Sequence, residues 1–164
     1  MAEKVKDIKN VKKDRLRYTK NTTSATLAYV AILFGALYFV SIYQSDVNNY
    51  YYTITIGLSV LYNLIFLLMA FLASEGLKNY KIGYAYGIIG IGILQIARIF
   101  GIPMMARNTL TVIDGAEVPV MANGQFVYVV VCLLVSASAC ILAGIIGAYK
   151  SITLKNYMKE KGLV

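Results

Sequence analysis

Histidine and tryptophan are absent from this chain of 164 residues, and proline and cysteine occur only twice each. Charged residues make up 15% of it against 59% hydrophobic, where an ordinary soluble domain is roughly a quarter charged. Each shortage removes a class of chemistry. Without histidine, a serine or cysteine nucleophile lacks its usual base, and the commonest transition-metal ligand is missing. All eight carboxylates lie outside the long apolar runs, so an intramembrane proton relay or hard-metal site has no ligands to use. Cys132 and Cys140 stand on one apolar run, about 12 Å apart along a helix, which is too far for a disulfide. They read as small packing residues. No Cys-x-x-Cys pair is available for thiol oxidation. The run Gly87-Ile88-Ile89-Gly90-Ile91-Gly92 lacks the Lys-Ser/Thr ending of a phosphate-binding loop. The expectation is a protein without catalytic residues, metal or cofactor.

What is present is length without charge. Residues 47–74 and 118–149 carry no ionisable acid or base other than tyrosine and cysteine, and each run exceeds the ~20 residues that cross a hydrocarbon core. Together with two further apolar runs they define an all-α membrane protein of four transmembrane helices, expected at 25–43, 54–74, 84–106 and 126–149. Residues 1–24 form a basic N-terminal segment and 150–164 a basic tail. The third span is the least regular, because Arg98 interrupts it after only sixteen uncharged residues, 82–97. A central arginine costs about 2.5–3.5 kcal/mol on insertion scales, an amount the surrounding isoleucines can offset.

The distribution of charge orients the spans. Of sixteen Lys and Arg residues, eight precede Asn21, Lys78 and Lys81 lie between spans two and three, and Lys150, Lys155, Lys159 and Lys161 follow the last span. Arg107 alone sits in a loop on the other side. Positive residues stay cytoplasmic, so the expected topology is an antiparallel bundle with both termini inside. In the absence of tryptophan, the fourteen tyrosines must form both interfacial belts: Tyr43, Tyr50, Tyr51 and Tyr52 on one side, Tyr80, Tyr84, Tyr86 and Tyr149 on the other. In the N-terminal segment Val5, Ile8, Val11 and Leu16 fall within about 140° of a helical projection, the pattern of a helix lying on a membrane surface, with a solvated charged leader that only fixes topology as the alternative. The charged leader is too long, and too poor in a small-residue cleavage site, for a cleavable signal peptide.

Two loops carry readable local structure. Asn21, Thr22, Thr23 and Ser24 supply helix-starting caps for span one. Between spans three and four, residues 109–113 and 117–121 flank Asp114-Gly115, the signature of a small β-hairpin in the second outer loop. Pro103 is placed to end span three.

Inside the spans, helices in lipid are held by close approach at small residues. Gly83, Gly87 and Gly90 share one sector of span three, and Ser136, Cys140, Ala143, Gly144 and Gly147 share one sector of span four, in the same half of the bilayer. A tight contact between these two stripes is expected, with Arg98 on the glycine side. Asn63, Gln95 and Ser136 each lie about 14–15 Å below the outer ends of their spans, in one layer near the midplane, with Arg98 and Tyr38 about one turn further out. Two uses of that layer follow. The polar residues can hydrogen-bond across helices while Arg98 snorkels outward, or they can line an outward-open pocket in which Arg98 receives an anionic headgroup or small anion.

These features lead to a non-enzymatic, multi-pass protein of a bacterial cytoplasmic membrane, acting as an accessory, assembly or regulatory subunit. The bacterial source is inferred from heavy Lys, Ile, Asn and Tyr usage. Its expected partners are the lipid bilayer, anionic lipid headgroups near the basic tails, and a protein partner or further copies of itself. Nucleic acid is not expected, since no binding module accompanies the charge. The alternative is a small homo-oligomeric channel or transporter with its pathway at Asn63, Gln95, Arg98, Ser136 and Tyr38.

Overall fold

The computed structural model describes residues 2–42, 50–113 and 115–163. In order along the chain are α1 (Ala2–Tyr18), α2 (Thr22–Ile42), α3 (Tyr50–Lys78), α4 (Ile82–Ala97), a 3-10 turn (Arg98–Phe100), α5 (Ile102–Asn108), β1 (Leu110–Ile113), β2 (Ala116–Pro119) and α6 (Asn123–Glu160). Four helical stretches are long and apolar enough to cross a membrane: Thr22–Ile42, Gly57–Lys78, Ile82–Asn108 and Asn123–Glu160. Residues 43–49, between the first two expected spans and including Tyr43 of the expected tyrosine belt, lie outside the described residues.

Local sequence sets where these helices begin and end. Asn21 caps α2, its side-chain oxygen accepting from the Ser24 backbone N–H at 3.5 Å. At the other end of α3, the Tyr80 N–H donates to the Leu77 carbonyl and the Lys81 N–H to the Gly76 carbonyl. This is a Schellman closure, with Tyr80 at φ 55° in the left-handed position usually given to glycine. The Asn21 N–H bonds the Lys78 carbonyl at 3.1 Å, joining the start of α2 to the end of α3. At the opposite end, Gln125 Nε2 donates to the Ser41 carbonyl at 2.9 Å, joining the end of α2 to the start of α6.

The third apolar stretch is broken where the sequence suggested one helix over 84–106. Helix α4 has 16 residues, about 24 Å at 1.5 Å per residue, short of a ~30 Å hydrocarbon core. The chain tightens into the 3-10 turn, leaves helical geometry at Gly101, and restarts as α5 with Pro103 in its first turn. Proline has no N–H and clashes with the carbonyl four residues back, so an uninterrupted helix through Ile99 is disfavoured. Pro103 therefore opens a short helix instead of ending a long one.

The two strands pair antiparallel, Ile113 opposite Ala116 and Leu110 opposite Pro119, and Gly115 takes φ 82° in the turn between them. The hairpin rests on α5 through a bond from the Met121 N–H to the Ala106 carbonyl. Helix α6 has 38 residues, about 57 Å, far more than a bilayer core requires. Helix α1 packs on its C-terminal extension, where the Tyr157 hydroxyl donates to Asp14 at 3.3 Å.

Helices α2 and α4 both pack on α6, and α3 packs on α2 and α4. One buried cluster is built mostly from alanine, with Ala28, Ala31, Ala70, Ala73, Ala85, Ala139 and Ala143 around Phe66, Leu77, Ile88 and Cys140. A second contains Tyr38, Ile42, Val129, Cys132 and Leu133. Such small side chains bring backbones close, the packing mode that holds helices together where burial from water gives little drive.

The glycine stripe expected to make that contact on span three does not make it. A Cβ added at Gly83, Gly87 or Gly90 would meet nothing within 4 Å. The face of α4 turned inward is Ala85, Ile88, Gly92 and Gln95, centred about 150° around the helix from the three glycines. Gly92 is the glycine in contact, with the Ala137 carbonyl 3.0 Å from its would-be Cβ. The α6 stripe does face inward: Ser136, Cys140, Ala143, Gly144 and Gly147 are all buried. A Cβ on Gly144 would stand 2.6 Å from the Ala85 carbonyl, and one on Gly147 would strike Leu77.

Candidate functional site

Arg98 begins the 3-10 turn, one helical turn beyond Gln95, and its side chain reaches inward. Its Nη1 donates to Asn63 Oδ1 at 2.9 Å and to Gln95 Oε1 at 3.1 Å, and its Nη2 donates to Ser59 Oγ at 3.1 Å. The guanidinium also lies against two aromatic faces, 4.6 Å from the Tyr38 ring centre and 4.3 Å from that of Tyr62. Rings present their negative faces to a cation, with about 0.5–2 kcal/mol gained at each depending on desolvation. The planar five-donor fork of arginine suits this arrangement in a way a lysine ammonium would not.

The network continues past the arginine. Gln95 Nε2 donates to Ser136 Oγ at 3.4 Å, and Ser136 Oγ donates to the Ala31 carbonyl at 2.8 Å. One chain of hydrogen bonds thus runs from α3 through the Arg98 turn and α4 to α6 and α2. Asn63, Gln95 and Ser136 are buried, as is Tyr38. Asn63 Nδ2 is a buried donor without a hydrogen-bond partner among the described residues. In lipid these contacts are worth about 0.6–2 kcal/mol each, since the unfolded helix also finds partners.

The structure brings Asn63, Gln95, Arg98, Ser136 and Tyr38 into one connected cluster. Arg98 turns toward α3, whose Asn63 and Ser59 side chains supply acceptors; Gly83 and Gly87 stand on the same side of α4, lining a cavity with Met69, Leu72 and Ala73 of α3. Sequence reasoning left out Ser59 and Tyr62. Ser59 lies four residues before Asn63 on the same face, and Tyr62 three residues after Ser59, so the period of α3 contained the signal. Beside the cluster is a cavity of about 250 Å3 lined by Tyr38, Leu58, Ser59, Arg98, Gly101 and Ile102. Among the described residues no three His, Cys, Asp or Glu side chains stand together as metal ligands.

A second polar junction lies at the opposite end of the helices. Lys150 Nζ donates to Asn21 Oδ1 at 2.9 Å and to Thr23 Oγ1 at 3.4 Å, while Asn21 Nδ2 donates to Ser24 Oγ at 2.8 Å. Nearby, Lys78 bonds both Glu75 and the Tyr29 hydroxyl. This junction ties α2, α3 and α6 just where the third basic cluster of the sequence begins.

No protein-family model matches the chain, and no curated protein and no solved structure matches it significantly.

Proposed function

We propose that this is a non-enzymatic, multi-pass protein of a bacterial cytoplasmic membrane, an antiparallel four-helix bundle with both termini inside, acting as an accessory, assembly or regulatory subunit. The observation that carries this reading is the commitment of Arg98. Its guanidinium is occupied by Asn63, Gln95, Ser59 and two tyrosine rings, so the membrane-embedded charge serves to join helices. Function then falls to the surfaces. Support for a cytoplasmic working surface comes from α6, which outruns a bilayer by several turns and carries α1 on its extension. The lipid bilayer and a protein partner, or further copies of the chain, are the proposed neighbours.

The test has two parts. Single cysteines placed at Lys6, Arg107 and Lys161 in a Cys132→Ala/Cys140→Ala background should label with an impermeant maleimide from the inner, outer and inner side respectively. Gentle affinity purification should recover one abundant membrane partner. Labelling of residues 6 and 161 from outside would overturn the topology, and recovery of the chain alone would overturn the subunit reading.

The cavity beside Arg98 favours one second reading, a small homo-oligomeric channel or transporter with that opening as its mouth. Reconstituted liposomes that pass no ion or small solute would remove it.

A further inference from the structure

A cleft of about 600 Å3 separates α1 from α6 and is lined by Lys12, Lys13, Leu16, Tyr149, Lys150 and Thr153. Among the described residues, three ammonium groups and no carboxylate line it. The ion pairs among the described residues join Arg17 to Asp14 and Lys78 to Glu75, and neither involves these lysines. Asp14, the acidic residue of α1 nearest in sequence, is occupied by Arg17 and by the Tyr157 hydroxyl. Lys150 has three donors and gives two of them to the neutral oxygens of Asn21 and Thr23, so its charge is fixed in place without being cancelled. The Thr153 hydroxyl is turned away to the Tyr149 carbonyl.

Two of the six lining residues are apolar. Leu16 and the Tyr149 ring, 72% exposed, adjoin the lysines, and Tyr149 closes the uncharged run that began at residue 118. The cleft therefore stands where hydrocarbon gives way to water, the level of a lipid phosphate. We infer that this cleft holds the phosphodiester headgroup of an anionic phospholipid, with Lys12, Lys13 and Lys150 on the phosphate and Leu16 and Tyr149 against the start of an acyl chain. A free phosphate would use the lysines and leave the apolar side unoccupied. An anionic lipid uses both, and such lipids are abundant in the cytoplasmic leaflet. Bound there, the lipid would join α1 to α6 and couple the basic platform to membrane composition. This inference rests on the proposal that the α1 end faces the cytoplasm.

Native mass spectrometry of the full chain, released from mild detergent after titration with phosphatidylglycerol or with phosphatidylcholine of the same acyl chains, tests it. Phosphatidylglycerol should be retained selectively. Its affinity should fall roughly 30-fold in Lys12→Gln/Lys13→Gln, at about fivefold per lysine near an anionic headgroup, and return in Lys12→Arg/Lys13→Arg. Equal retention of the two lipids, or an unchanged affinity in the glutamine variant, overturns the inference. So does displacement of phosphatidylglycerol by millimolar inorganic phosphate, which would make a soluble anion the ligand. The measurement is made in micelles and needs no topology, so its failure would be distinct from a failed labelling experiment.

Discussion

Arg98 Nη1 and Asn63 Oδ1 lie 2.9 Å apart, joining the turn after α4 to the middle of α3. The arginine is the only basic residue of the expected spans, and its bonds to Asn63, Gln95 and Ser59 place it in a framework that all four apolar helices enter. Removing both partners should therefore cost less than the sum of removing each. Arg98→Leu should lower stability by about 2–3 kcal/mol, since it leaves several buried acceptors without their donor. The double variant Arg98→Leu/Asn63→Leu should recover about 1–2 kcal/mol of what the single changes lose together. Thermal melting of the four proteins in one detergent checks this; strict additivity would show that the pair is not coupled.

Asn63 carries a second consequence. Its Nδ2 is buried without a hydrogen-bond partner among the described residues, while its Oδ1 accepts from Arg98. Asn63→Asp replaces the unsatisfied donor with an acceptor and puts a carboxylate beside the guanidinium. The melting temperature should rise, by a stabilisation of about 1 kcal/mol. A fall would mean that desolvating the carboxylate outweighs its attraction to Arg98.

Gly144 and Gly87 should respond in opposite ways to the same substitution. Gly144 sits against the Ala85 carbonyl, with Ile88 3.0 Å from its would-be Cβ, whereas Gly87 has open space around it. Gly144→Leu should cost about 1–3 kcal/mol by forcing α4 and α6 apart. Gly87→Leu should leave stability unchanged or slightly higher, because a mid-helix glycine is itself unfavourable by about 0.5–1 kcal/mol relative to alanine. Equal losses at the two sites would contradict the rotation of α4 described above.

That rotation was the part of the fold least legible in the sequence. The four apolar stretches could be read from runs of uncharged residues, and the hairpin from Asp114-Gly115 between β-branched segments. The grouping of Asn63, Gln95 and Ser136 followed from counting residues. The phase of α4 did not, because it is apolar on every side and has no polar face to orient it; its glycines then offered two plausible contact faces, and Gly92 was overlooked. The break at Gly101 was hidden for a related reason. Pro103 marks a discontinuity, but whether it closes one helix or opens another depends on the packing of α5 against the hairpin and α6. Ser59 could have been found by extending the face of Asn63 one turn, and Tyr62 by its three-residue spacing from Ser59.

Asn21 joins three helices through one side chain and one backbone N–H. It is 1% exposed, caps α2, bonds the Lys78 carbonyl, and accepts from Lys150. Asn21→Leu keeps the branching and heavy-atom count of the side chain but removes the cap and leaves the Lys150 ammonium short of an acceptor. The expected loss is about 1–3 kcal/mol, whereas Thr22→Ala, one residue on and exposed, should change little. Melting of both variants separates a specific junction from general polarity at the helix start.

The two cysteines lie in different clusters and can report on them separately. Cys140 is buried among the alanines beside Gly92, and Cys132 lies with Tyr38, Val129 and Leu133. Both are sealed in the folded chain, at 0% and 2% exposure, so a maleimide reaches them only through opening motions. Gly144→Leu disturbs α6 one turn from Cys140 and about three turns from Cys132. It should accelerate labelling of Cys140 by about tenfold or more, since 1.4 kcal/mol of local destabilisation is a factor of ten in the open population, while Cys132 reacts at nearly the original rate. Arg98→Leu should have the reverse bias, because the guanidinium packs on Tyr38 of the second cluster. Peptide mapping after a timed pulse gives both rates at once. If each variant accelerates the two cysteines equally, the helices open as a single unit and the two clusters have no independent stability.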